Sequence, residues 1–145
     1  MVRLLLTLAA LTLSQLSAVA GERISAMLYK TPKCMCCEKY ADYLRSNGFA
    51  VKVIEHPNMT LIKKQHGVRE DLEDCHTLIV DGYVVEGHVP VTPIRGLLAE
   101  RPSIRGISLP GMPEGSPGMG GTKQGPFEIR SITGEEGPAP VYGME

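Results

Sequence analysis

"ISAMLYKTPKCMCCEKYADYLRSNGFAVKVIE", residues 24–55, carries the reading that decides the fold. Ile24 to Lys30 alternates apolar and polar residues, as a half-buried strand does. Thr31-Pro32 breaks it. From about Cys36 to Asn47 the period changes: Cys37, Tyr40, Ala41 and Leu44 recur every three or four residues and mark one face of a helix. Asn47-Gly48 is a C-terminal stop. Phe49 to Glu55 alternates again. A strand–helix–strand unit needs a crossover, which is right-handed and leaves its two strands parallel. The chain therefore starts as an α/β protein.

The rest of the chain extends that unit. Pro57-Asn58 starts a short helix, Met59 to His66, closed by Gly67, and "REDLED" (69–74) reads as a charged loop. In "HTLIVDGYVVEG" (76–87) two β-branched runs flank Asp81-Gly82, a hairpin signal. Thr92-Pro93 opens a helix through Ile94, Leu97 and Leu98 that stops before Pro102. Gly106 to Gly125 is rich in Gly and Pro and reads as a loop or arm. "PFEIRSI" (126–132) alternates, and "VYGME" (141–145) reads as a last short strand. The order β-α-β-α-β-β-α predicts a thioredoxin-like single domain: a mixed sheet flanked by helices over residues 21–105, then a Gly/Pro-rich C-terminal extension over 106–145.

Residues 1–20 read differently. Arg3 precedes the apolar run Leu4–Leu13, and Ala18-Val19-Ala20 supplies small residues before an expected cleavage at Gly21. This is the pattern of a secretory signal peptide. The run is shorter than the ~20 residues a membrane span needs. The expectation is therefore export, and no stable membrane insertion after cleavage. The formal net charge of −1 argues against a nucleic-acid partner, which would need a basic face. With no Trp and two Phe, the core must be mainly aliphatic.

The four cysteines carry the chemistry. Cys34, Cys36 and Cys37 sit where the first strand hands over to the first helix, and a helix N-terminus favours thiolate. In a thioredoxin-like arrangement the loop before the third strand faces that junction, and here it reads "DCHTLIV". Cys75 should therefore point at the cluster. Three readings follow. Cys34 and Cys37 have the spacing of a dithiol redox pair, and would be the catalytic residues if the protein is redox-active. Cys34–Cys37 with Cys36–Cys75 would make two structural disulfides. Four thiolates could instead hold soft metal. Cys36 and Cys37 leave a helix about 100° apart, which argues against one tetrahedral zinc and for several Cu(I) ions. His76 and His88 are further candidate ligands, as are the thioethers of Met112 and Met119, since soft sulfur suits Cu(I). His56 and His66 have no partner by spacing and are expected to be exposed.

"TPKCMCCEKYADYLRSNGFAVKV", "DCHTLIVDGYVVEGHVP", "IRGLLAERP" and "LPGMPEGSPGM" together resemble the CopG-type family of periplasmic copper-resistance proteins, formerly a domain of unknown function. The resemblance runs from about Ile24 to Met119. It implies a thioredoxin-like fold, copper held by Cys34, Cys36, Cys37 and Cys75, and a role in copper handling in the periplasm. Met35 stands where the family more often has glycine, and Tyr40 where it has tryptophan. The expected function is a periplasmic copper-binding protein in copper resistance or homeostasis, holding Cu(I), as a polynuclear cluster, through the four cysteines. Its expected partners are copper ions and other periplasmic copper-handling proteins. The alternatives are a thiol-disulfide or copper-linked oxidoreductase using Cys34 and Cys37, and a disulfide-stabilised secreted interaction domain.

Overall fold

The alternating stretch Ile24–Lys30 forms strand β1, with Ala26, Leu28 and Lys30 buried on one face. The computed structural model describes residues 21–145; the expected signal peptide lies outside the described residues. Helix α1 (Met35–Ser46) follows, and its buried face is Cys37, Tyr40, Ala41 and Leu44, as its period requires. Strand β2 (Phe49–Glu55) then pairs with β1 in parallel, from Ile24 opposite Phe49 to Lys30 opposite Glu55.

Helix α2 (Met59–Gln65) is started by Asn58, whose side-chain oxygen accepts from the Leu61 N–H at 3.1 Å. A single 3₁₀ turn, Glu70–Leu72, lies within the stretch read as a charged loop. Strands β3 (His76–Val80) and β4 (Tyr83–Gly87) make the expected hairpin; Asp81 and Gly82 both adopt positive φ at its turn. β3 also pairs antiparallel with β1. Helix α3 (Val91–Glu100) comes next. These elements give the thioredoxin-like arrangement, with β1 and β3 at the centre of its sheet.

The start of the Gly/Pro-rich stretch departs from the expectation of a loop or arm. Gly106–Leu109 is strand β5, fully buried and parallel to β4, so α3 is the crossover of a second strand–helix–strand unit. Strands β6 (Glu128–Ile132) and β7 (Val141–Met144) continue antiparallel, and the sheet order is β2-β1-β3-β4-β5-β6-β7. Four residues that include a glycine and a serine, followed at once by Pro110-Gly111, carry too little apolar signal to read as a strand.

Gly106 shows why glycine stands there. A Cβ at this position would run into the Val84 backbone on the neighbouring strand. Backbone on both sides cannot yield as a flexible side chain could. Gly106→Ala is therefore expected to destabilise the fold by more than about 2 kcal/mol. Chemical denaturation of the two proteins side by side checks this; a loss below half that figure would show that the strands can part.

The sheet buries both faces. The buried residues of α1 and α3 pack in one cluster with Leu28, Leu78, Val85 and Ile107. On the other side Val68 and Leu72 pack with Val84, Ile132 and Ala139. The cysteines lie at the edge of the first cluster, where the N-terminus of α1 meets the start of β3.

Candidate metal centre

The site is built where three segments converge. The turn after β1 delivers Cys34, whose backbone N–H donates to Thr31 at 3.2 Å and which serves as N-cap of α1. The first turn of α1 carries Cys36 and Cys37. The residue before β3 is Cys75, and the residue after β4 is His88. His76, first in β3, is fully buried.

The four sulfurs lie within 4.8 Å of one another. Cys36 Sγ is 3.5 Å from Cys34 Sγ and 3.9 Å from Cys75 Sγ. Cys37 is fully buried, and its Sγ lies 3.9 Å from the Cys75 carbonyl oxygen. Cys34 and Cys37 are joined in a disulfide, while Cys36 and Cys75 are free. The separation argued from the helix period is thus small in space. Cys36 and Cys37 leave the helix in different directions, yet their sulfurs stay within reach of one ion, and that geometric objection to a single tetrahedral site is withdrawn.

A second donor set overlaps the first. Cys75 Sγ is 3.1 Å from His88 Nε2 and 3.3 Å from His76 Nδ1, and these three residues also gather within 4.8 Å. His88 Nδ1 donates to the Pro117 carbonyl at 2.7 Å. That bond fixes the proton on Nδ1 and turns the Nε2 lone pair toward the sulfur, as a ligand needs. His76 Nε2 has no hydrogen-bond partner among the described residues. Burial holds the His76 imidazole well below its ordinary pKa, with His88 and Lys63 adding to the effect. Burial also lowers His88, against the Pro117 carbonyl and the Asp74 charge. Both rings are therefore neutral at neutral pH, the form that binds metal. Burial, the Asp74 charge and Cys36 push the Cys75 thiol far up, so without metal it keeps its proton.

Tyr40 packs beneath both imidazoles, its ring centroid 4.5 Å from that of His76 and 5.3 Å from that of His88. Its hydroxyl donates to the Val89 carbonyl at 2.7 Å. The arm closes the site from above. A Cβ on Gly118 would lie 2.8 Å from Tyr40 N and 3.0 Å from the Cys36 carbonyl, so only a glycine lets the arm lie this close to α1.

The other candidates divide. Met112 is exposed and meets the site through its backbone N–H, which donates to Asp74 Oδ2 at 3.1 Å. Met119 is half-buried in the arm, held by its N–H on the Ser116 carbonyl at 2.9 Å. His56 and His66 are half-buried rather than exposed; His66 sits against Tyr29, and His56 Nδ1 closes a local turn on Asn58. Sequence reasoning missed Asp74, Glu86 and Lys63. Glu86 had a signal: a carboxylate inside the apolar run "YVVEG", in a strand buried along its whole length. Burial raises its pKa to about 7, against the pull of Lys63.

Fold and site together define a thioredoxin-like α/β protein whose cysteines and histidines form one soft-ligand cluster. Two solved structures match it over 86% of its length at 35% identity. They are titled "Copper resistance protein copG- Form 2" and "Form 1", with TM-scores of 0.77 and 0.76 and coverage of 99% and 98% of their own chains. The chain belongs to the CopG family. Residues 72–119, from Leu72 through Cys75, His76 and His88 to Met119, also match the family described as "Protein of unknown function, DUF411". No protein with a curated description matches the sequence.

Proposed function

We propose that this protein binds Cu(I) in the periplasm, as more than one ion, and serves copper resistance. The observation that carries the reading is the sharing of Cys75. Its sulfur belongs to the four-cysteine set and to the Cys75–His76–His88 set at once. A thiolate with donors on two sides bridges metal ions, and thiolate with neutral imidazole suits Cu(I). Copper resistance enters from the titles of the similar structures. Export to the periplasm enters from the leader-like residues 1–20.

The Cys34–Cys37 disulfide makes loading depend on redox state. With it closed, two thiols and two imidazoles remain. Reducing it takes two electrons and two protons and yields four thiols. Anaerobic Cu(I) titration of the mature chain tests this. Fully reduced protein is expected to take up more than one Cu(I) per chain, and protein with the disulfide intact fewer. Equal uptake by the two forms, or at most one ion in the reduced form, would overturn the polynuclear reading.

A second reading has its own observation. Cys34 is half-buried and Cys37 fully buried across a disulfide at a helix N-terminus, the asymmetry of a thiol-disulfide oxidoreductase. It calls for reduction of a test disulfide by copper-free reduced protein, with loss in Cys34→Ser.

A further inference from the structure

Beneath the cysteines lies a buried polar network that the copper reading does not use. Glu86 is fully buried in β4. Lys63, also buried, pairs with its Oε1 and donates to Thr77 Oγ1 at 3.3 Å. Thr77 donates to Glu86 Oε2 at 2.7 Å. One further donor reaches Glu86 Oε1: the backbone N–H of Asp74, at 2.8 Å. Asp74 passes the connection on. Its Oδ1 accepts from the Cys75 N–H at 2.6 Å, and its Oδ2 accepts from the Met112 N–H at 3.1 Å. Met112 holds a φ of 47°, a left-handed conformation uncommon for a side-chain-bearing residue.

We propose that Asp74 is the positioning residue of the metal centre, locking the Cys75 backbone and the overlying arm to the base provided by Glu86. The proposal rests on the copper reading for its metal, though not for its geometry. Asp74 belongs to neither donor set, and each of its oxygens accepts from a backbone N–H, so it acts through Cys75 rather than as a ligand. Glu86 stands two residues before His88 on the same segment. Anchoring Asp74 on Glu86 therefore sets the position of Cys75 Sγ relative to His88 Nε2. The second carboxylate oxygen ties in the arm whose Pro117 carbonyl fixes the tautomer of His88. The Asp74 side chain thus holds the Cys75 backbone and the arm that covers His88, while its backbone N–H rests on Glu86, and groups that hold ligands in this way are worth about 10–100-fold in metal affinity.

Three variants of the mature chain separate positioning from a general structural role. Asp74→Ala removes both acceptors. Asp74→Asn keeps a carbonyl oxygen for the Cys75 N–H. Asp74→Glu keeps the charge but carries it one methylene too far. The first readout needs no metal. With the Cys34–Cys37 disulfide closed, diamide oxidises Cys36 and Cys75 to a second disulfide; two thiols give up two protons and two electrons, and diamide is reduced to its hydrazine. The two sulfurs start 3.9 Å apart. Displacing one by about 1 Å is expected to slow this bond formation up to about 100-fold. The expected result is slow closure in Asp74→Ala and Asp74→Glu; Asp74→Asn loses the same charge beside the Cys75 thiol as Asp74→Ala does but keeps the acceptor, so it is expected to close at least as fast as the parent. The second readout is Cu(I) competition with bicinchoninate, expected to follow the same order with a loss of about 10–100-fold in Asp74→Ala. Parent-like closure in Asp74→Ala or Asp74→Glu would overturn the proposal, as would an Asp74→Asn rate as slow as that of Asp74→Glu. A parent protein that takes no Cu(I) would defeat the copper reading alone, because the diamide rates still decide the positioning role.

Discussion

Replacing Cys75 with serine is expected to reduce Cu(I) uptake by the reduced protein from more than one ion per chain to one at most. It should also abolish the ultraviolet absorption of bridging thiolate. The size of the effect follows from position. Cys34 and Cys37 each belong to one donor set, whereas Cys75 belongs to two, with His88 Nε2 at 3.1 Å on one side and Cys36 Sγ at 3.9 Å on the other. Cys34→Ser leaves Cys75, His76 and His88 intact, so it should keep one ion of the imidazole side. Cys75→Ser removes the sulfur both sides share, and a serine hydroxyl is a hard, protonated donor that Cu(I) does not favour. Burial and the Asp74 charge keep the free Cys75 thiol protonated, so copper binding must release that proton and parent loading should strengthen as pH rises. The check is copper per chain and thiolate absorption for the two variants in parallel. Equal retention in both would mean that Cys75 bridges nothing.

How much of this was legible in the residues depends on which signal each element uses. α1 announced itself because Cys37, Tyr40, Ala41 and Leu44 are its buried face and recur at the helix period. The β3–β4 hairpin was legible because Asp81-Gly82 supplies the positive φ that its turn demands. β5 was not. Its residues are set by what they must fit between, and Gly106 is there because Val84 leaves no room, a constraint that exists only once β4 and β5 are paired. The approach of Cys75 to Cys36 was legible through topology: any chain of this order brings the loop before its third strand to the end of its first helix. Placing His88 required more. Its orientation depends on the Pro117 carbonyl, 29 residues away in a segment with no period to read. The angle between Cys36 and Cys37 misled for a related reason. A helix period gives directions from an axis, while the distance between two sulfurs also depends on side chains that bend toward Cys75.

Replacing Lys63 with methionine is expected to cost the fold about 1 kcal/mol near pH 8, growing by about 1.4 kcal/mol per further pH unit until Glu86 itself titrates, because it leaves the Glu86 carboxylate buried without its cation. The loss should depend on pH, and the sign can be worked out. Burial raises the Glu86 pKa in the folded protein from its ordinary 4.5 to about 7, even with Lys63 pulling it down. The folded state therefore holds that proton more tightly than the unfolded chain does. Between about pH 4.5 and 7 the parent's Glu86 contribution to stability falls as pH rises, and above about pH 7 it is level. Without Lys63 one downward influence is gone, so in the variant the fall continues to higher pH. Near pH 5 both proteins carry a neutral Glu86, and the difference between them should be small. Groups that titrate alike in parent and variant cancel in the comparison. Lys63→Met combined with Glu86→Gln should recover most of the loss, since the neutral amide leaves no unpaired charge and its oxygen can still accept from the Asp74 N–H. Denaturation curves for the three proteins at about pH 5 and pH 8 provide the measurement. A deficit of the same size at both pH values would assign it to packing of the Lys63 stem. A deficit confined to the higher pH places it on the carboxylate whose other task is to hold Asp74 beneath Cys75.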